Sequence, residues 1–143
     1  MDNIPPNIGT LHKRITAVGS RITCNPPPKD TDQDWLVLVD EKDFDQFANY
    51  LISVGWDVGG SLIPYVNNTS PSDYIFSSFT LGVDNIIVTA SAEFHGRFLS
   101  ASSVAKRLNL LKKEDRIMLF QSVLYGAICD SAFLIPDALD PLV

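Results

Sequence analysis

Two aspartates two residues apart, Asp32 and Asp34, stand directly ahead of an apolar run, WLVLV (35–39). On a strand, residues i and i+2 share a face. Two carboxylates held about 4–5 Å apart repel by about 4 kcal/mol at an effective dielectric near 20. Water, a basic side chain or a hard cation must offset that repulsion. Magnesium is suited to the task, because it takes oxygen ligands and is commonly held by one or two carboxylates, with waters and substrate phosphates completing its shell. A calcium loop is the rival reading. Asp30, Asp32 and Asp34 have the spacing of the first three ligands of such a loop, and Glu41 that of the last. Trp35, however, occupies the position where the loop's sharp turn needs glycine, and the residues after it read as a strand. Magnesium is the better fit.

Upstream lie Gly19, Ser20 and Arg21, with eleven residues between Ser20 and Asp32. A Gly-Ser turn lets backbone N–H groups approach phosphate oxygens, and the Ser20 hydroxyl adds a donor. Arg21 adds charge for the same phosphates. Phosphate donors and metal ligands are thus expected at neighbouring ends of a helix and a strand.

This order of helix, Gly-Ser, spacer, Asp-x-Asp and strand resembles the nucleotidyltransferase superfamily, the group of DNA polymerase beta and the bacterial minimal nucleotidyltransferases, over about residues 8–90. FSSFTLGVDNIIVT (76–89) and KRLNLLKKEDRIMLFQSVLYG (106–126) are in addition similar to short nucleotidyltransferase-like proteins of tailed bacteriophages, a likeness that covers most of the chain. The resemblance implies that Gly19 and Ser20 contact a nucleoside triphosphate and that Asp32 and Asp34 bind two magnesium ions. The family's third carboxylate falls to Asp84, with Glu93 as runner-up. The activity implied is transfer of a nucleotide to a hydroxyl of RNA, protein or a small molecule. A second reading keeps the fold without turnover, as a binding module that targets or inhibits a host protein. One departure is visible: the spacer carries Pro26, Pro27 and Pro28, where the family usually has a small glycine-containing one.

The elements that must position these residues follow from periodicity. Ile8, Leu11, Ile15 and Val18 recur at helical spacing and predict a helix that Gly19 stops. Residues 21–33 read as a proline-stiffened loop. Leu36 and Leu38 alternate with Trp35, Val37 and Val39, so the next strand is apolar on both faces and covered on both sides. Asp43 through Val54 reads as a helix presenting Phe44, Phe47, Ala48 and Leu51. An edge strand is expected within 56–66, where Pro64 lies, then a loop over 67–73. Tyr74–Leu81 and Asp84–Thr89 read as strands joined at Gly82. Two helices follow, striped by Phe94, Phe98, Ala101, Ala105 and Leu108, then by Ile117, Phe120, Leu124 and Ile128. The expected fold is α/β in the α+β sense: a mixed, partly antiparallel sheet flanked by helices, in one domain. Its core spans about 8–90, its C-terminal helical part about 91–130, and an irregular tail 131–143.

The chain has 143 residues, 17 acids and 11 bases, for a net charge of −6. The charge is polarised: seven acids lie within 30–45 and six bases within 97–116. An acidic chain is unsuited to wrapping duplex DNA broadly, although the basic group could attract a phosphorylated acceptor such as RNA. Without a membrane-length apolar run or a signal-like start, and with only Cys24 and Cys129 as thiols, a cytoplasmic setting is expected, the host cytoplasm for a phage protein. His12 reads as an exposed helix residue, Trp35 and Trp56 as core aromatics, and Lys112-Lys113 as a solvated helix start.

Overall fold

The structure, a computed structural model, describes residues 4, 5, 7–29, 32–59 and 76–133, with side chains as far as Tyr125. Strand β1 (Arg14–Val18) leads into a one-turn helix, α1 (Ser20–Thr23). Strand β2 (Gln33–Leu38) and a 3-10 turn (Glu41–Asp43) come before helix α2 (Phe44–Ser53). A two-residue strand, β3 (Asp57–Val58), and the hairpin of β4 (Phe76–Leu81) and β5 (Asp84–Thr89) complete the sheet. Helices α3 (Ala92–Leu108) and α4 (Lys113–Phe133) close the described part.

The strand order is β1-β2-β5-β4-β3, with β2 and β5 parallel and the other neighbours antiparallel. This is the mixed α+β sheet expected from sequence. The apolar β2 lies inside the sheet, with Trp35, Leu36 and Val37 buried. Its two faces meet different partners. On one, Val18, Leu36 and Ile87 pack against Phe94, Phe98, Phe120 and Leu124 of α3 and α4. On the other, Trp35, Val37, Ile86 and Val88 pack against Phe47 and Leu51 of α2 and against Ile8. Burying a side chain of this size is worth about 1.5–3 kcal/mol, so two covered faces hold β2 firmly in place.

The structure corrects the first element. Ile8 through Val18 does not form a helix; Arg14–Val18 is an edge strand. Ile8, Leu11 and Ile15 gather on the α2 side, while Val18 turns to the α3 side. Helical spacing over four residues coincided with a β-rich stretch, ITAV, and pairing with β2 decided between them. Gly19 therefore does not stop a helix; it links a strand to the single turn of α1.

Smaller differences follow. Helix α2 is preceded by the 3-10 turn, and Leu108, expected in the α3 stripe, is 63% exposed at the helix end. Helix α4 continues to Phe133, into the stretch expected to be tail. The 67–73 loop, Pro64, Tyr74, Asp30 and residues 134–143 lie outside the described residues, as does the side chain of Cys129. Among the described residues no helix is long and apolar enough to cross a membrane.

Candidate phosphate and metal site

Register builds the site. Asp34 pairs with Val18 of β1 on one side and with Asn85 of β5 on the other. Gly19 follows Val18 directly, so the Gly-Ser turn lies over the Asp34 carboxylate. Gly19 has φ 88°, in the region that favours glycine, and an added Cβ would lie 2.9 Å from Asp34 Cβ. From Gly19 the chain turns into α1, where the Ile22 and Thr23 amides donate to the Gly19 carbonyl oxygen.

Asp32 is exposed and Asp34 half-buried. Between them reaches Asn85, whose Nδ2 donates to Asp32 Oδ2 at 3.0 Å and to Asp34 Oδ1 at 3.2 Å. Burial pushes the Asp34 carboxyl above its ordinary range. The Asn85 hydrogen bond opposes that shift, the Asp32 charge adds to it, and Arg21 opposes it.

The pair opens into a cavity of about 370 Å³ between the sheet and the C-terminal helices. Gly19, Ser20, Asp32, Asp34 and Asn85 form its polar floor, and Ile87, Phe98 and Phe120 an apolar wall. Lys29, Lys113 and Arg116 bring positive charge to the same space.

The helical wall is tied to the Gly-Ser side by a polar clasp. Asn109, the left-handed residue ending α3, accepts from the Asn25 amide at 2.8 Å and donates to the Asn25 carbonyl at 3.0 Å. Arg116 Nη1 donates to the carbonyl oxygens of Leu110 at 2.9 Å and Leu111 at 3.0 Å, and to Cys24 Sγ at 3.4 Å. These contacts hold the turn between α3 and α4 against α1. They bring Lys113 into the cavity that Asp32 and Asp34 line, some 80 residues away in sequence.

The sequence-predicted residues thus divide. Gly19, Ser20, Asp32 and Asp34 share the cavity. Arg21 does not line it; its guanidinium sits 4.9 Å from the Trp35 ring centroid, with Nη2 3.5 Å from the Asp34 carbonyl oxygen. Asp84 does not join the pair. It precedes Asn85 by one residue, so strand alternation turns it to the opposite face, where its Oδ1 accepts from Trp35 Nε1 at 3.0 Å. Glu93 is also elsewhere, paired with Arg97 at 2.8 Å in the first turns of α3. Among the described residues no three His, Cys, Asp or Glu side chains converge on a metal position.

Lys29, Asn85, Lys113 and Arg116 were missed from sequence as cavity residues. Asn85 was within reach: D-x-D on one strand and an adjacent parallel strand require a same-face partner, and only the register says which residue provides it. The lysines and Arg116 carry no local signal. The donor set fits one magnesium ion. Asp32 and Asp34 are the carboxylates it needs, and phosphate oxygens can complete its shell without a third.

Fold and site define an α+β domain whose sheet carries paired carboxylates on the floor of a cation-rimmed cavity. No protein-family model matches the chain, and no curated protein matches it either. Among solved structures, the crystal structure of Cid1 poly(U) polymerase is similar to it, with a TM-score of 0.41 and 14% sequence identity over 82% of this chain and 33% of that one. The chain thus spans about a third of that structure's length.

Proposed function

We propose that the cavity binds a nucleoside triphosphate together with magnesium, in a small nucleotidyltransferase-type domain that hands a nucleotide to a hydroxyl acceptor. The observation that carries the reading is the placement of the Gly19-Ser20 turn on the Asp34 carboxylate, beside Asp32. Phosphate donors and cation ligands meet there, as the sequence resemblance implies. In this reading the backbone of the turn and the Ser20 hydroxyl hold phosphate oxygens. Lys29 and Lys113 neutralise charge at the cavity mouth, and Ile87, Phe98 and Phe120 give an apolar surface for the rest of the nucleotide. Asp32 and Asp34 hold the cation, which when bound supplies charge stabilisation to the phosphates. The likeness of residues 76–126 to phage proteins supports a phage-encoded protein acting in its host.

Calorimetry tests the reading. Magnesium-dependent heat is expected with at least one of ATP, CTP, GTP or UTP, and none with Asp34→Ala. Absence of such binding by the intact chain overturns it.

One observation favours a second reading. Asn85, not a carboxylate, is the third side chain between the aspartates, which suits a module that binds without turnover and serves by occupying a host protein. Capture of a host partner that survives Asp34→Ala, with no labelled nucleotide transferred to any acceptor by the intact chain, supports it. Transfer by the intact chain counts against it.

A further inference from the structure

We infer that Asn85 makes this a one-ion site, able to retain a triphosphate–cation pair and lacking, among the described residues, the group that would hold a second ion and deprotonate an attacking hydroxyl. The inference rests on the binding half of the reading above, specifies its metal content, and within that reading favours retention of the nucleotide over its transfer.

Phosphoryl transfer with two ions divides the labour: one ion stabilises the leaving oxygens of the substrate, the other the attacking oxygen. The first needs few protein ligands, because the phosphates supply oxygens. Asp32 and Asp34 suffice for it. The second has fewer substrate oxygens to draw on and needs a further protein carboxylate, and the hydroxyl beside it needs a proton acceptor. The residue in register with Asp34, on the same face, is Asn85. Both atoms it touches are carboxylate oxygens, so its NH2 group must face them. That arrangement offers hydrogens, not lone pairs, to the space between the aspartates. The amide also brings no negative charge against a second divalent cation and takes up no proton near neutral pH.

Among the described residues the other candidate carboxylates do not compensate. Asp84 is on the opposite face, accepting from Trp35, and Glu93 is ion-paired with Arg97. Asn85 therefore acts as a neutral clamp that keeps Asp32 and Asp34 together while replacing the missing charge with two hydrogen bonds.

Electron paramagnetic resonance of Mn2+ counts the ions. The intact chain is titrated with Mn2+ in the presence of each of the four ribonucleoside triphosphates, beside Asn85→Asp, Asn85→Ala and Asp84→Asn. The expected result is one ion per bound nucleotide in the intact chain, two in Asn85→Asp, and one in Asp84→Asn. Two ions in the intact chain, one in an Asn85→Asp chain that still binds nucleotide, or a lost ion in Asp84→Asn overturns the inference. Should Asn85→Asp fail to fold without metal, Asn85→Ala decides. It keeps its single ion if Asn85 is only a clamp, and losing the ion would make Asn85 a ligand and overturn the inference. Absence of nucleotide-dependent Mn2+ binding in the intact chain is a different result: it removes the nucleotide reading itself, and the inference with it.

Discussion

Asp34 carries opposing demands at the scale of the single residue. Burial and Asp32 disfavour its charge, while Asn85 and Arg21 favour it, and the first of these dominates. Since its folded pKa lies above the unfolded value of 3.8, ionised Asp34 costs stability at neutral pH, and protonation as pH falls relieves that cost. Asp34→Asn is therefore expected to raise the melting temperature of the metal-free protein and to abolish magnesium-dependent nucleotide binding. A calorimetric scan and a titration check the two halves. Gly19 makes the converse prediction. Its φ of 88° and its contact with Asp34 leave no room for a methyl group, so Gly19→Ala is expected to cost about 1–3 kcal/mol in urea unfolding and to weaken nucleotide binding. At this scale the sequence was legible in part. Asp-x-Asp and Gly-Ser announce themselves by type and spacing, whereas Asp84 and Asn85 are adjacent, and only strand alternation tells which faces the site.

Among the elements, the turn between α3 and α4 sets the helical wall of the cavity. Asn109 adopts φ 50° and holds Asn25 by two hydrogen bonds. Asn109→Ala loses both and strains the backbone, at an expected cost of about 1–2 kcal/mol. Asn109→Gly keeps the turn and loses only the bonds, so it should lie between Ala and the parent in chemical denaturation. If the clasp positions Lys113, both variants also weaken triphosphate binding, and by more than a distant variant of equal stability. The C-terminal helices were legible because Phe94, Phe98, Ala101 and Ala105, then Phe120 and Leu124, mark one face each and are all buried. The first element was misleading because Ile8, Leu11 and Ile15 fit a helical period while lying partly in a strand and partly in irregular chain.

For the molecule as a whole, two histidines contribute to the acid response in the sense opposite to Asp34. Burial lowers the pKa of His12, and burial together with the Arg14 charge lowers that of His95. Both folded values lie below the unfolded 6.5, so the unfolded chain takes up protons first as pH falls. Their contribution is complete above pH 6.5 and is lost as pH falls from there toward the folded values. The melting temperature is expected to drop between pH 7 and 5, and His95→Gln to flatten that drop. An unchanged slope in His95→Gln would assign the response to other groups. The polarised charge gains meaning at the same scale. Acids at 30–45 and bases at 97–116 are distant in sequence, yet Asp32 and Asp34 share a cavity with Lys113 and Arg116.

What the sequence determined by itself was local: an apolar strand covered on both faces, a Gly-Ser turn, a carboxylate pair at the strand's start, and two amphipathic C-terminal helices. Each follows from residue type and periodicity over a few positions. Only the tertiary structure decided which groups stand opposite that pair. Parallel pairing of β2 with β5 selects Asn85 and turns Asp84 away, because a strand alternates its faces at every residue. The Asn25–Asn109 clasp and the Arg116 contacts bring Lys113 and Arg116 to the cavity that the carboxylates line. Those partners come from chain separations that no short-range pattern records, and they determine the charge of the site.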